Sequence, residues 1–139
     1  MFSHILVPVA LNDREDSAVS IAINLAKTSN AKLTFLHVVE LIAGVPFEEL
    51  ADFYDSLNRK CQSKIEPLGE QARAENVDCS TEVVLGNRVH DIVAHAEEKS
   101  IDLIVMQSHK VYAGTGPQGL NTISYQVGLL SKSAVLLVK

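Results

Sequence analysis

The chain has 139 residues, of which 47% are hydrophobic and 21% charged, and this predicts one compact domain over residues 1–139. Its formal net charge of −5 offers no basic surface to a nucleic-acid backbone, so we expect no nucleic-acid partner. No apolar run approaches the roughly 18 residues of a membrane helix. The opening MFSHILVPVA also lacks the basic start of a signal peptide, so we expect a cytoplasmic protein without membrane contact.

Five short apolar runs are separated by stretches of helical periodicity. The runs are HILVPV (4–9), KLTFLHVV (32–39), DCSTEVVL (78–85), DLIVMQ (102–107) and AVLLV (134–138). Their alternation with helices predicts an open parallel sheet with helices on both faces, the doubly wound α/β class. The first, fourth and fifth runs are apolar nearly throughout, as expected of strands that are covered on both faces.

The first two helices follow from capping and periodicity. Asp13 and Asp16 are spaced like a capping box, so the first helix is expected to begin near Asp13. It is expected to end at Asn30, which tolerates left-handed geometry. Between the second and third runs, apolar residues recur at steps of three and four, which predicts one long helix with Pro67 as a point of bending. Its buried stripe comprises Phe47, Leu50, Tyr54, Leu57, Cys61, Ile65, Leu68 and Ala72.

The third helix is expected over residues 88–99, with Ile92, Val93 and Ala96 facing inward, and the fourth over residues 120–131. The segment from Ser108 to Gly119 lies between the fourth strand and the fourth helix. Irregular segments of this length in compact domains are often binding loops.

That segment contains GTGPQG (114–119), which matches the dinucleotide pattern G-x-G-x-x-G. The pattern binds a pyrophosphate only in a tight turn between a strand and a helix, with an acid about 20 residues further on. Here several loop residues separate the glycines from their strand, and no acid follows them. We therefore interpret GTGPQG as a surface loop.

A ligand of an open parallel sheet binds beyond the carboxyl ends of the strands, where the strand order reverses. With the order 3-2-1-4-5, this crevice lies between the first and fourth strands, beside VALND (9–13) and QSHK (107–110). The order 2-1-3-4-5 would move the crevice, and periodicity alone does not decide between the two.

Several segments occur in the order and spacing of a known family. They are HILVPV before an alanine-rich helix, AKLTFLHVV, GNRVHDIVAHAEEKSIDLIVMQSH and the closing SAVLLVK. Together they resemble the universal stress protein A-type domain over essentially the whole chain. The resemblance implies the strand order 3-2-1-4-5 and a homodimer.

Nucleotide-binding members of that family carry G-x2-G-x9-G-[ST] after the fourth strand and an aspartate at the end of the first. In this chain the glycine positions hold Gln107, Lys110 and Asn121, with one extra residue in the intervening loop; the aspartate position holds Ala10, and only the closing hydroxyl, Thr122, remains. Added side chains hinder the approach of backbone amides to phosphate, and a lost carboxylate removes a hydrogen-bonding partner. We therefore expect neither tight ATP binding nor a cofactor.

If ATP or AMP does bind, the resemblance implies which residues would line its site. They are Pro8, Val9, Ala10, Val38, Gly86, Arg88, Met106, Ser108, His109, Lys110, Thr122 and Ser124.

Other polar residues have plainer interpretations. His109 is interpreted as a rim histidine without a role, and His37 as a hydrogen-bonded core or cleft histidine. Asp91 and His95, one helical turn apart, are interpreted as surface residues that could pair, since a metal would need more ligands. Helix capping is expected for at least one of Thr122, Ser124 and Tyr125. Cys61 and Cys79 lack C-x-x-C spacing and are interpreted as two buried thiols, with no metal site.

These patterns favour a non-enzymatic stress-response or signalling protein that acts through protein contacts. The apolar fifth run would form an open sheet edge, so we expect a homodimer through Ala134, Val135, Leu136, Leu137 and Val138, and a further, unidentified protein partner. No set of nucleophile, base and metal is visible, so we expect no catalytic residues. The alternative is an adenine-nucleotide sensor that binds ATP or AMP through the altered loop.

Overall fold

A computed structural model of the chain describes residues 1–12, 16–108 and 122–139. The strands are His4–Pro8 (β1), Lys32–Glu40 (β2), Cys79–Gly86 (β3), Leu103–Gln107 (β4) and Ala134–Val138 (β5). The helices of this part of the chain are Ser17–Ser29 (α1), Ala51–Ala74 (α2), Arg88–Glu98 (α3) and Ile123–Leu130 (α4). A single 3-10 turn, Phe47–Leu50, leads into α2.

All five strands are parallel and have the order β3-β2-β1-β4-β5, which confirms the predicted fold class. In the central register Leu6 lies opposite Thr34 on β2 and opposite Ile104 on β4. The order reverses between β1 and β4, so the crevice at their carboxyl ends is where the sheet offers a ligand site.

Two apolar layers hold the helices against the sheet. On the face covered by α1 and α2, fully buried side chains include Ile5, Val7, Phe35, Ala22 and Ile65. On the face covered by α3 and α4, they include Leu6, Leu36, Ile92, Ile104 and Val127. Each large aliphatic side chain buried in this way stabilises the fold by about 1.5–3 kcal/mol. The alternation of faces along β1 and β2 therefore fixes their register.

The first helix begins at Ser17, so the predicted start near Asp13 is wrong. Asp16 is the N-cap, and its carboxylate accepts a hydrogen bond of 3.0 Å from the amide of Ala18. The aspartate side chain is short and reaches the free amide two residues further on, so Asp16 caps the helix without a capping box that begins at Asp13. Asp13 itself lies outside the described residues. The other end was predicted correctly, because Asn30 adopts the left-handed conformation with φ 54°.

The predicted stripe of α2 is buried at Tyr54, Cys61, Ile65 and Ala72. Leu50, Leu57 and Leu68 are partly buried, and the first member, Phe47, belongs to the 3-10 turn and is 46% exposed. Its ring stacks on that of Tyr54, with the ring centroids 5.6 Å apart. The helix continues past Pro67 to Ala74 without a break.

The third helix was placed correctly, whereas the fourth begins at Ile123, three residues after its expected start. The fifth strand is less buried than its composition predicts, since Leu136 is 39% exposed and Ala134 is also exposed. β5 is the outermost strand on its side of the sheet, so it has one neighbouring strand and incomplete cover. The prediction that the fifth run is covered on both faces is therefore wrong for the single chain.

Candidate functional site

A small apolar cavity of about 140 Å³ lies at the predicted crevice, beside the carboxyl ends of β1, β2 and β4. Six of the predicted ligand residues line it: Pro8, Val9, Ala10, Val38, Arg88 and Met106. Leu36, Ile92 and Ile123 complete the lining, and the sequence pattern did not identify them. They are apolar residues of β2, α3 and α4. Their periodicity in the sequence predicted burial in the core and did not indicate a ligand site.

The end of β1 is held by β2. The amide of Val9 donates to the carbonyl of Leu36 over 2.9 Å, and the Val9 carbonyl is 2.7 Å from Nδ1 of His37. Burial lowers the pKa of His37, so the neutral ring is favoured and Nδ1 donates to Val9. His37 is thus the hydrogen-bonded cleft histidine that the sequence predicted, and its contact positions the cavity wall.

The chain turns sharply after this wall. Leu11 has φ 56°, a left-handed conformation that is uncommon for a residue with a side chain. Its side chain packs against the core on the α1 and α2 face, which offsets a strain of about 1–2 kcal/mol. Ala10 is exposed at this turn and presents only a methyl group to the cavity.

Arg88 closes the cavity on the side of β2. Its Nε donates to the carbonyl of Val38 at 3.4 Å, so this carbonyl already has a partner. The position of Arg88 follows from the cap of α3, where the Asn87 side chain accepts a 2.9 Å hydrogen bond from the amide of His90. The guanidinium is the charged group of the cavity lining.

Gly86, another predicted ligand residue, lies outside the lining of this cavity. It lies against Asp91, whose carboxylate accepts a 2.6 Å hydrogen bond from the amide of Asn87. A Cβ at position 86 would lie 2.0 Å from Oδ2 of Asp91, so any larger residue would have to displace this carboxylate. The turn from β3 into α3 therefore explains the glycine.

The hydroxyl groups near the predicted phosphate loop are bonded to one another. Ser108 and Ser124 are both buried, and their Oγ atoms are 2.9 Å apart. Thr122 is the N-cap of α4: its hydroxyl accepts from the amide of Tyr125 at 3.4 Å and lies 3.3 Å from Oγ of Ser124. The capping interpretation of Thr122 is confirmed, and these hydroxyls serve the packing of α4 against β4.

Gln107 occupies the first glycine position of the family motif. Its Oε1 accepts from the amide of Ala18 at 3.1 Å, and its Nε2 donates to the carbonyl of Val138 at 3.2 Å. The side chain therefore joins the beginning of α1 to the end of β5. The sequence indicated only a lost glycine here, because both partners are distant in the chain. His109, Lys110 and Asn121, with the GTGPQG segment, lie outside the described residues.

Asp91 and His95, which the sequence allowed to pair, bond to other partners. Asp91 bonds to the amide of Asn87, and Nε2 of His95 lies 3.1 Å from Oε2 of Glu82 on β3. His95 is not a surface residue either, since its side chain is only 12% exposed. The reason is that His95 faces the sheet from the inner side of α3.

The predicted thiols are confirmed: Cys61 and Cys79 are both buried and free. Burial raises the pKa of Cys79 to about 11, so this thiol is protonated and unreactive at neutral pH. Over residues 1–12, 16–108 and 122–139, no group of three histidine, cysteine or acidic side chains could hold a metal ion. Within the same ranges, no helix is long and apolar enough to cross a membrane.

A second and larger cleft, of about 470 Å³, lies on the opposite face between α1 and α2. Its lining is mixed: it includes the polar residues Asp16, Ser17, Ser20, Lys64 and Gln71, and it shares Val9 and Ala10 with the smaller cavity. The smaller cavity contains six of the predicted ligand residues, whereas the larger cleft contains Val9, Ala10, Leu11 and Asn12 of the predicted crevice wall.

Comparison with known proteins agrees with this architecture. The sequence profile of the universal stress protein family matches residues 1–139, and the chain belongs to that family. It is 29% identical to universal stress protein YxiE of Bacillus subtilis over the full length of both chains. Among solved structures, UspA from Lactobacillus plantarum superimposes with a TM-score of 0.83 at 22% identity, covering 99% of this chain and 97% of the other.

A universal stress protein solved in complex with cAMP is also similar. It has a TM-score of 0.71 and 25% sequence identity, with 99% of this chain and 96% of that chain covered.

Proposed function

We propose that this member of the universal stress protein family acts as a homodimer through protein contacts, without tight ATP binding and without catalysis. One observation carries this proposal: the polar groups beside the candidate cavity bond to the protein itself. Gln107 bridges α1 and β5, Ser108 bonds to Ser124, and Thr122 caps α4. A bound phosphate would have to compete with each of these contacts.

The cavity also argues against a tightly bound nucleotide. Its volume of about 140 Å³ is below the roughly 300–1,000 Å³ of pockets that enclose drug-sized ligands. Ala10 supplies no carboxylate for a ribose, and the Val38 carbonyl already accepts from Arg88. Binding a nucleotide here would require side chains of the lining to move.

Support for the dimer comes from the outer edge of the sheet. β5 has an exposed Leu136, and the neighbouring α4 ends in Leu129 and Leu130, which are 85% and 61% exposed. A groove of about 480 Å³ runs between α4 and β5. Open, apolar sheet edges are commonly covered by another chain, and the same edge of a second copy is the simplest cover.

A second candidate function is an adenine-nucleotide sensor. The observations in its favour are the apolar cavity at the strand-order reversal and the similar universal stress protein that was solved with cAMP. In this alternative, Arg88 would leave the Val38 carbonyl and expose it to the base.

Analysis of the freshly purified protein separates the two candidates. The protein is denatured, and the released small molecules are identified by chromatography and mass spectrometry. The proposed function predicts a supernatant without adenine nucleotides. Stoichiometric release of ATP, AMP or cAMP would instead establish the sensor.

A further inference from the structure

An exposed apolar patch lies at the carboxyl end of β2 and the beginning of α2. Five of its large apolar side chains are between 37% and 50% exposed: Leu41, Ile42, Val45, Phe47 and Phe53. We call these residues the 41–53 patch. Exposed large apolar side chains that are concentrated in one short segment mark interaction sites more often than scattered single residues do.

The 41–53 patch is fixed in position by a buried tyrosine. Tyr54 is 2% exposed, and its hydroxyl accepts a 2.8 Å hydrogen bond from the amide of Ile42. The ring of Phe47 stacks on Tyr54 with a centroid distance of 5.6 Å, and Phe53 meets it edge-on at 5.5 Å. These contacts hold the apolar side chains in position before a partner binds, which lowers the entropy cost of binding.

The charge around the patch has one sign. Residues 40–55 contain five acidic residues and no lysine or arginine. All five are exposed, and they are Glu40, Glu48, Glu49, Asp52 and Asp55. They sum to −5, which equals the net charge of the whole chain, so the remaining 12 acidic and 12 basic residues balance. These five residues, which we call the acidic rim, concentrate negative charge around the patch and favour a basic partner.

The backbone does not offer a strand-pairing edge here. The amide of Leu41 donates to Gly86, that of Ile42 to Tyr54 and that of Glu49 to Pro46. An extended peptide could not pair with these three donors, which favours contacts made by side chains. A second copy of the same patch, or an anionic lipid surface, would be repelled by the acidic rim.

We propose that the 41–53 patch docks a basic amphipathic helix of a partner protein, with the apolar face of that helix on Ile42, Phe47 and Phe53 and its lysines or arginines on the acidic rim. This inference rests on the proposed action through protein contacts and specifies the chemistry of the partner. The 41–53 patch is distinct from the β5 edge. An experiment can therefore disprove the docking site and leave the proposed dimer contact standing, or the reverse.

The test titrates the full-length protein into a fluorescein-labelled peptide and follows fluorescence anisotropy. The peptide is about 18 residues long, or five helical turns, and consists of leucine and lysine with leucine at i, i+3, i+4 and i+7. A control peptide has the same composition in an order without an apolar face. We expect a dissociation constant on the order of 10 µM for the amphipathic peptide, as for a small interface. The control peptide should bind at least about tenfold more weakly, because it cannot present leucines and lysines on opposite faces.

Two protein variants locate the binding site. Glu48→Lys with Asp52→Lys should weaken binding about tenfold, since attraction at the rim becomes repulsion. Asp78→Lys with Glu98→Lys makes the same change of net charge on exposed residues near the amino ends of β3 and β4, whereas the patch follows the carboxyl end of β2, and should change binding less than about twofold. Phe53→Ser, which leaves the charge unaltered, should also weaken binding several-fold.

Three results would overturn the proposal. The first is no binding, or equal binding of both peptides. The second is an equal loss in the two charge-reversed variants, which would indicate general attraction to an acidic protein. The third is a sedimentation experiment in which Phe53→Ser separates a dimer, since the patch would then join two copies of this chain. If the dimer is lost in Leu136→Lys and kept in Phe53→Ser, the result supports the proposed β5 contact and does not contradict the docking site at the patch.

Discussion

At position 107, where nucleotide-binding members of the family have glycine, this chain has a glutamine whose side chain connects two distant segments. Its amide group contacts Ala18 at one end and Val138 at the other, and these residues belong to elements on either side of β4. Each partner also has another bond, since the amide of Ala18 donates to the Asp16 carboxylate and the carbonyl of Val138 accepts from the amide of Ser108. The glutamine therefore reinforces a junction that a glycine would leave to the backbone.

Replacing Gln107 by methionine keeps the length of the side chain and removes both hydrogen bonds. We expect the free energy of unfolding to fall by about 1–2 kcal/mol, at roughly 1 kcal/mol per bond. Urea denaturation measures the change. Gln62→Met, on the exposed side of α2, is the matched control and should change stability by less than about 0.5 kcal/mol. Equal effects of the two substitutions would contradict the bridging role.

Gly86 and Gly128 form a second matched pair, because a Cβ meets Asp91 at position 86 and open space at position 128. Gly86→Ala should displace the Asp91 carboxylate from the amide of Asn87 and destabilise the fold by about 1–3 kcal/mol. Gly128→Ala lies inside α4 and should stabilise it by about 0.5–1 kcal/mol. Thermal unfolding of both variants provides the measurement. If Gly86→Ala leaves the stability unchanged, the β3–α3 turn does not depend on a glycine at position 86.

At the scale of elements, continuous apolar runs were sufficient to predict β1 and β4, which are buried on both faces. Helix boundaries were less predictable where a cap involves distant residues. The start of α1 depends on Asp16 and on Gln107, which is 89 residues away in sequence. Composition also could not distinguish a strand covered by helices from an exposed edge, and β5 is the example.

The β5 edge leads to a prediction about assembly. Leu136→Lys places a charge on the apolar edge, so a dimer formed there should dissociate to monomer while the fold persists. Leu85→Lys is the matched control, because Leu85 is 38% exposed on the opposite edge strand and Leu136 is 39% exposed. Sedimentation velocity at tens of micromolar, an ordinary concentration for such contacts, distinguishes the two. A monomeric wild-type protein, or equal dissociation in both variants, would contradict the prediction.

At the scale of the whole molecule, the position of the crevice was predictable and its capacity was not. The resemblance implied the order 3-2-1-4-5, and that order places the ends of β1 and β4 together. The small volume depends on Leu36, Ile92 and Ile123, which enter the cavity through the packing of β2, α3 and α4. Such packing depends on contacts between distant segments, so no local spacing in the sequence reports it.

The central claim is that the cavity and its internally bonded surroundings do not bind ATP tightly. Calorimetric titration of protein freed of small molecules, with Mg-ATP and then with AMP and cAMP, tests it most directly. We expect a flat titration with each nucleotide at tens of micromolar protein, an ordinary working concentration. Saturable binding with a dissociation constant near 1 µM, or about −8 kcal/mol, would contradict it and identify the protein as a nucleotide sensor.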